Sequence, residues 1–101
     1  MNMSDTLNLI KNSFENWYNA TNKSNLSMVI NYSDEQTLRL KAYHKVTINM
    51  IAVGIKDNLS YTLPVLSISE HYNHGTTTEE EAKAFLTQKF LTEILLYCTK
   101  N

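Results

Sequence analysis

Apolar residues recur at helical spacing near the start of the chain, at Leu7, Ile10, Phe14, Trp17 and Tyr18. Asn, Lys and Glu residues separate them, and this pattern predicts an amphipathic helix over residues 4–21. Ser4 or Asp5 is positioned to cap its N-terminus, because short polar side chains accept hydrogen bonds from the first helical N–H groups. The polar segment NATNKSN then ends the helix.

From residue 26 to residue 68 the apolar period changes to two, and β-branched and aromatic residues become frequent. This region is predicted to form the sheet. A first strand places four apolar side chains on one face, namely Leu26, Met28, Ile30 and Tyr32. The segment SDEQ that follows is predicted to form a hairpin turn.

Residues 37–55 keep a single alternating parity over an unusually long run. They form either one long, bent strand or two strands that break near the segment YHK. KDN at residues 56–58 is predicted to be the next turn. The parity then changes around Pro64, which indicates a bulge or a sheet edge, because proline cannot donate a ladder hydrogen bond.

The last part of the chain predicts a second helix, over residues 78–98. It begins at three threonines, each of which precedes a glutamate by three residues, so that each pair has the spacing of a capping box. Its apolar residues cover more than one stripe, which indicates burial on more than one side. The second buried side would face either the first helix or another copy of the chain. We therefore predict a homodimer interface at Phe90, Leu91, Ile94 and Leu95.

These elements together predict a single α+β domain spanning residues 1–101. An N-terminal helix precedes a sheet of three or four mostly antiparallel strands, and a C-terminal helix follows it. Both helices are expected on one face of the sheet, which leaves the other face open to solvent.

The charge balance excludes a bulk attraction for nucleic acid or anionic lipid, since nine basic residues face ten acidic ones and the net charge is −1. The one cysteine, Cys98, rules out an internal disulfide and fits a reducing compartment. No export signal or membrane span is visible, so we predict a cytoplasmic protein. Abundant Asn and Thr, together with many lysines and a single arginine, suggest an AT-rich bacterial, phage or plasmid gene.

Few residues have the chemistry of a catalytic or metal site. His71 and His74 lie near Glu70 and could in principle join His44 or Cys98 around a metal ion, but no second spaced pair completes four ligands. Cys98 lies near the end of a helix, where the dipole raises the pKa of a thiol. We therefore predict no metal, no cofactor and no enzymatic activity.

The segment RLKAYHK is the strongest candidate for a binding surface. Strand alternation places four of its residues on one face, and these are Arg39, Lys41, Tyr43 and Lys45. Such a basic row with an aromatic residue could bind a partner protein or a nucleic-acid backbone. Alternatively, its lysines only solubilise the sheet or protect its edge.

The sequence therefore predicts a small non-enzymatic domain that binds a partner protein by covering its surface. An inhibitor, an immunity or anti-defence (anti-CRISPR-like) protein, or an accessory subunit would act in this way. The alternative is binding of nucleic acid or a nucleotide through residues 39–45.

Overall fold

A computed structural model describes residues 2–36, 43–73 and 75–100 of the chain. Its elements, in chain order, are helix α1 (Met3–Asn22), strands β1 (Ser27–Gln36), β2 (Tyr43–Lys56) and β3 (Leu59–Asn73), and helix α2 (Glu79–Lys100). The strands form an antiparallel sheet in the order β1-β2-β3. The predicted α+β class is confirmed.

Helix α1 begins at Met3, and Asn2 caps it: the Asn2 side chain accepts a hydrogen bond from the Asp5 backbone N–H at 2.9 Å. The predicted cap at Ser4 or Asp5 is therefore wrong. Both residues lie within the first turn, where the Asp5 carboxylate interacts favourably with the positive end of the helix dipole. The helix ends at Asn22, before a left-handed Lys23 with φ of 51°.

Strand β1 continues through the segment SDEQ, so the prediction of a turn at residues 33–36 is wrong. Asp34 pairs with Val46 in the ladder, and Gln36 pairs with His44. The Asp34 carboxylate also contacts side chains of both other strands, which holds this polar segment in an extended conformation. Residues 37–42, between β1 and β2 in the chain, lie outside the described residues.

The turn between β2 and β3 lies where the sequence predicts it. Asp57 and Asn58 are both left-handed, with φ of 55° and 65°. Two such residues between paired strands form the tight hairpin turn that matches the twist of the sheet.

The irregularity predicted at Pro64 is a β-bulge. The β2–β3 register shifts between Met50 and Ile51, so that Val65 is the extra residue on β3. Ile51 and Pro64 are opposite each other, and β3 is an edge strand of the sheet. Proline is tolerated on a free edge because it removes no ladder hydrogen bond there.

Both helices cover one face of the sheet, α1 over β1 and α2 over β2 and β3. Helix α2 buries a single stripe at a spacing of four residues, formed by Ala82, Leu86, Phe90 and Ile94. This stripe is narrower than the sequence predicts. Tyr97 is half-buried against Phe14 and Trp17 of α1. Four other large apolar side chains keep between 41% and 69% of their surface exposed, and these are Phe85, Leu91, Leu95 and Leu96.

Candidate protein-binding surfaces

The outer face of the sheet, opposite the helices, carries the described part of the predicted basic row. Tyr43 and Lys45 are both exposed on β2, whereas Val46 is buried against the helices. The predicted alternation is therefore correct over these residues. Arg39 and Lys41 lie outside the described residues.

Lys45 has neighbours on both sides in the sheet. Glu35 on β1 and His71 on β3 are its ladder partners. Opposite charges that face each other across strands interact favourably, so Glu35 offsets the charge of Lys45. The described part of the row is therefore a mixed polar surface rather than a basic one.

A polar cluster lies on the inner face, at the end of the sheet near the start of α2. The Tyr72 hydroxyl donates to the Asp34 carboxylate at 3.0 Å, and His44 Nδ1 lies 2.7 Å from the other Asp34 oxygen. Burial and the contact with Asp34 raise the pKa of Tyr72 to about 12. The phenol therefore stays protonated at neutral pH and can donate to Asp34, so the cluster joins the ends of three strands.

His71 and Cys98 are far apart. His71 lines a cavity with Glu81 and Phe85, whereas Cys98 lines a groove with Trp17 and Leu95. Some thirteen residues of α2 separate these places, which corresponds to roughly 20 Å along a helix. Among the residues that the structure describes, no group of three or more His, Cys, Asp or Glu residues could hold a metal ion.

The glutamates at the start of α2 are part of its cap. The Thr78 hydroxyl accepts from the Glu81 backbone N–H at 3.1 Å, and the Glu81 carboxylate accepts from the Thr78 backbone N–H at 3.1 Å. This reciprocal pair is a capping box, as the spacing predicts. It selects the last of the three registers that the sequence allows.

The most exposed apolar side chains lie at the tip of the β2–β3 hairpin. Ser27, the first residue of β1, pairs with Val53, so residues 54–61 extend beyond β1 as a two-stranded arm. We call these residues the hairpin arm. Ile55 and Leu59 on this arm expose 77% and 72% of their surfaces.

The base of the hairpin arm is closely packed around Gly54. A Cβ atom there would meet Leu26 Cδ2 and lie 2.9 Å from the Tyr61 hydroxyl oxygen. Only glycine lets these two side chains approach the strand so closely. On its inner face, the arm therefore packs closely against Leu26, which precedes β1.

A second apolar surface is a groove of about 350 Å³ between α1 and α2. Exposed Leu9, Leu91 and Leu95 line it, together with the half-buried Trp17. Two of the four predicted interface residues, Leu91 and Leu95, therefore face solvent. The other two, Phe90 and Ile94, are buried in the core of their own chain.

The sequence pattern did not identify the hairpin arm as a binding surface. Ile55 and Leu59 flank a correctly predicted turn, and their alternation is that of any half-buried strand. The available signal was a difference in length, since β2 and β3 have 14 and 15 residues and β1 has 10. A shorter first strand necessarily leaves part of the hairpin without a neighbour.

Comparison of the chain with protein-family models, curated proteins and solved structures finds no match. Within the described ranges, neither helix is long and apolar enough to cross a membrane.

Proposed function

We propose that this chain is a small non-enzymatic protein-binding domain, encoded by a bacterium or a phage and active in the cytoplasm. It acts by covering a partner protein, as an inhibitor, an immunity or anti-defence (anti-CRISPR-like) protein or an accessory subunit does. The observation that carries the proposal is the hairpin arm, whose apolar side chains contribute little to the core of the domain. Exposed apolar surface of this kind marks sites of protein interaction.

The arm is suited to tight binding for two reasons. Ile55 lies on one face of the arm and Leu59 on the other, so a partner that encloses the tip can bury both. Full burial of an exposed Ile or Leu side chain contributes about 1.5–3 kcal/mol, which makes the two a sufficient anchor. The tight turn and the contact of Gly54 with Tyr61 also hold the arm in one conformation. Less conformational entropy is then lost on binding.

A capture experiment tests this proposal. The tagged protein is incubated with lysate of the source cells at low and at high salt, and retained proteins and nucleic acids are both identified. We expect one protein to be retained at high salt by the wild type and by the control Leu96→Ser, an exposed position on α2. The double variant Ile55→Ser, Leu59→Ser should lose it; retention by this variant would contradict the proposal.

A second candidate function is binding of nucleic acid or a nucleotide. It is supported by the exposure of Tyr43 and Lys45 on the outer face, an aromatic and a basic residue on one strand. It predicts retained nucleic acid that is released at high salt, because phosphate contacts displace counterions. Replacing Arg39 and Lys41 with Glu should abolish that retention, and a salt-resistant complex with a protein would contradict it.

We also propose that the groove between α1 and α2 supports a homodimer. Leu91 and Leu95 carry this proposal, since they are the members of the predicted interface that remain exposed. Light scattering at high protein concentration should give twice the mass of the chain. Leu95→Glu should restore the monomer mass, and a monomeric wild type would contradict the proposal.

A further inference from the structure

The outer edge of β1 is protected over its first residues by side chains of α1. Asn19 forms a two-way hydrogen bond with Leu26: its Oδ1 accepts from the backbone N–H and its Nδ2 donates to the carbonyl, both at 2.9 Å. Glu15 accepts from the Met28 backbone N–H at 2.7 Å. These side chains bond to the edge as a neighbouring strand would.

Over the next residues of the same edge, the described part of the chain forms no such hydrogen bonds. The Met28 N–H points away from β2, and in an antiparallel pair the backbone groups of every second residue point the same way. Ile30, Tyr32 and Asp34 therefore direct their N–H and C=O groups off the edge. Among the described residues, no side chain forms a hydrogen bond to these groups.

The opposite edge of the sheet, on β3, differs from this one. Its bulge bends the strand at Pro64, which has no N–H to offer. Further along, the Lys89 ammonium group donates to the Ser69 carbonyl at 3.3 Å. Proline, bulges, lysines and inward-pointing charges are the usual protection against pairing with another strand. Residues 30–34 of β1 contain no proline, bulge or lysine, and the inward-pointing Asp34 carboxylate is bound by Tyr72 and His44.

A groove of about 430 Å³ lies over Ile30 and Tyr32 of β1, between the first two turns of α1 and the start of α2, where Glu80 and Lys83 line it. Leu7, Ile30 and Tyr32 line its apolar part, and the exposed Asn8 lies on its rim. The Tyr32 hydroxyl is buried and has no hydrogen-bond partner within the described part of the chain. Burial and the nearby carboxylates raise the pKa of Tyr32 to about 12, so this hydroxyl is a donor at neutral pH.

We propose that residues 30–34 of β1 bind an extended segment of a partner protein as a fourth strand of the sheet. Its backbone pairs with Ile30, Tyr32 and Asp34, and alternate side chains point into the groove beside α1. This is the recognition mode of β-augmentation, in which main-chain hydrogen bonds give affinity and side-chain pockets give specificity. This inference rests on the proposed function in one respect, since both take the partner to be a protein.

A second copy of this chain does not fit the edge. An antiparallel pair of β1 strands would lie about 4.8 Å apart, with both α1 helices on the same face of the joined sheet. Helix α1 packs directly on β1, so the two helices would approach much closer than the 8–10 Å that packed helices need. The occupant is therefore a segment without a helix above it.

The test uses a phage-displayed library of random peptides of about ten residues, a little longer than a typical strand. Peptides enriched on the full chain are synthesised, and amide hydrogen exchange is measured in the free and the bound protein. In the free protein we expect fast exchange at Ile30 and Tyr32 and slow exchange at Asn31 and Ser33, which face β2. At a peptide concentration about 100 times Kd, exchange at Ile30 and Tyr32 should slow by about 100-fold.

A matched pair of variants locates the peptide. Asn8→Trp places a large side chain at the rim of the groove and should abolish peptide binding. Ala20→Trp places the same side chain at an exposed position of α1 that neither lines the groove nor shares the helix face of Asn8 and Glu15, and should leave binding unchanged. Circular dichroism verifies that both variants are folded.

The following results would overturn the inference: no enriched peptide, enriched peptides that leave the Ile30 and Tyr32 amides unchanged, or protection of these amides in the free protein. Peptide binding that survives Asn8→Trp would also overturn it. The proposed function is tested separately, because the arm variant Ile55→Ser, Leu59→Ser leaves the β1 edge intact. Loss of the captured protein in the arm variant alone would identify the arm, and not the β1 edge, as its binding surface.

Discussion

The two halves of the β2–β3 hairpin have similar sequences and opposite surroundings. Under the helices, Val46, Ile48, Met50 and Ala52 are no more than 1% exposed, whereas Ile55 and Leu59 on the hairpin arm expose 77% and 72%. Both halves alternate and both are rich in apolar residues. Leu59 lies on the same face as the four buried residues, since its ladder partner is Lys56, but the helices do not cover it. Ile55 lies on the outer face, opposite the helices. Alternation therefore indicates which face a residue points to, and the lengths of neighbouring elements decide whether that face is buried.

The largest expected effect on the free energy of unfolding comes from α2, which packs on the covered half of the hairpin. Phe90 is fully buried against the sheet, so Phe90→Ala should lower the free energy of unfolding by about 3–5 kcal/mol, from lost apolar burial and the cavity that remains. Urea denaturation measures this change. A loss below about 1 kcal/mol would mean that α2 does not pack on the sheet as described.

A substitution in the polar cluster at the end of the sheet should have the next largest effect on the free energy of unfolding. Asp34→Ala removes the acceptor of the Tyr72 hydroxyl and of His44, and should cost about 1–3 kcal/mol. Asp34→Asn keeps one carbonyl oxygen and should cost less. Equal losses for the two variants in urea denaturation would contradict the hydrogen bonds assigned to this carboxylate.

A change at the junction of the two halves should have a smaller effect. The Cβ atom of Gly54→Ala would meet Leu26 and Tyr61. Because both contacts are side-chain tips that can shift, we expect a loss of about 1 kcal/mol, at the low end for overpacking. Gly75→Ala, at the other glycine of the chain, is the control, and an equal effect there would show that packing at the arm is not the cause.

High pH should destabilise the folded chain through two tyrosines on the inner face of the sheet, Tyr32 on β1 and Tyr72 on β3. The pKa values of Tyr32 and Tyr72 are both raised to about 12 in the folded chain, first by burial, whereas the ordinary value is 10.0. Between these values the unfolded chain loses protons that the folded chain keeps, so unfolding becomes more favourable as the pH rises. The Tm should fall between pH 10 and 12, and less steeply in Tyr72→Phe. An equal slope in that variant would contradict the assignment.

The smallest effect on stability should come from the uncovered half. Ile55→Ser and Leu59→Ser replace side chains that are mostly in water already, so each should change the free energy of unfolding by no more than about 0.5 kcal/mol. Urea denaturation of the double variant measures the sum. A loss above about 2 kcal/mol would show that the arm is part of the folded core and not a free surface.

Much of the fold could be predicted from local patterns. The helical spacing of α1, the turn at Asp57 and Asn58, the bulge at Pro64 and the cap at Thr78 each depend on a few adjacent residues. The segment SDEQ was predicted wrongly because Asp34 is held by Tyr72, which is 38 residues further along the chain. Composition alone cannot reveal such a contact.

The candidate surfaces were harder to predict for the same physical reason. The hairpin arm and the bare edge of β1 are defined by what does not cover them, which depends on strand lengths and on the position of α1. The basic row was identified from its residues, but the position of Glu35 opposite Lys45 depends on the strand register. Register is set across strands and is not visible within one of them.

The central claim is that the hairpin arm contributes to binding and not to folding. The most direct test measures the affinity of the captured partner for Ile55→Ser, Leu59→Ser at high salt, alongside the urea stability of the same variant. We predict near-wild-type stability and a Kd raised by at least about 100-fold, which corresponds to about 3 kcal/mol of lost apolar burial. An unchanged Kd in a stable variant would contradict the claim.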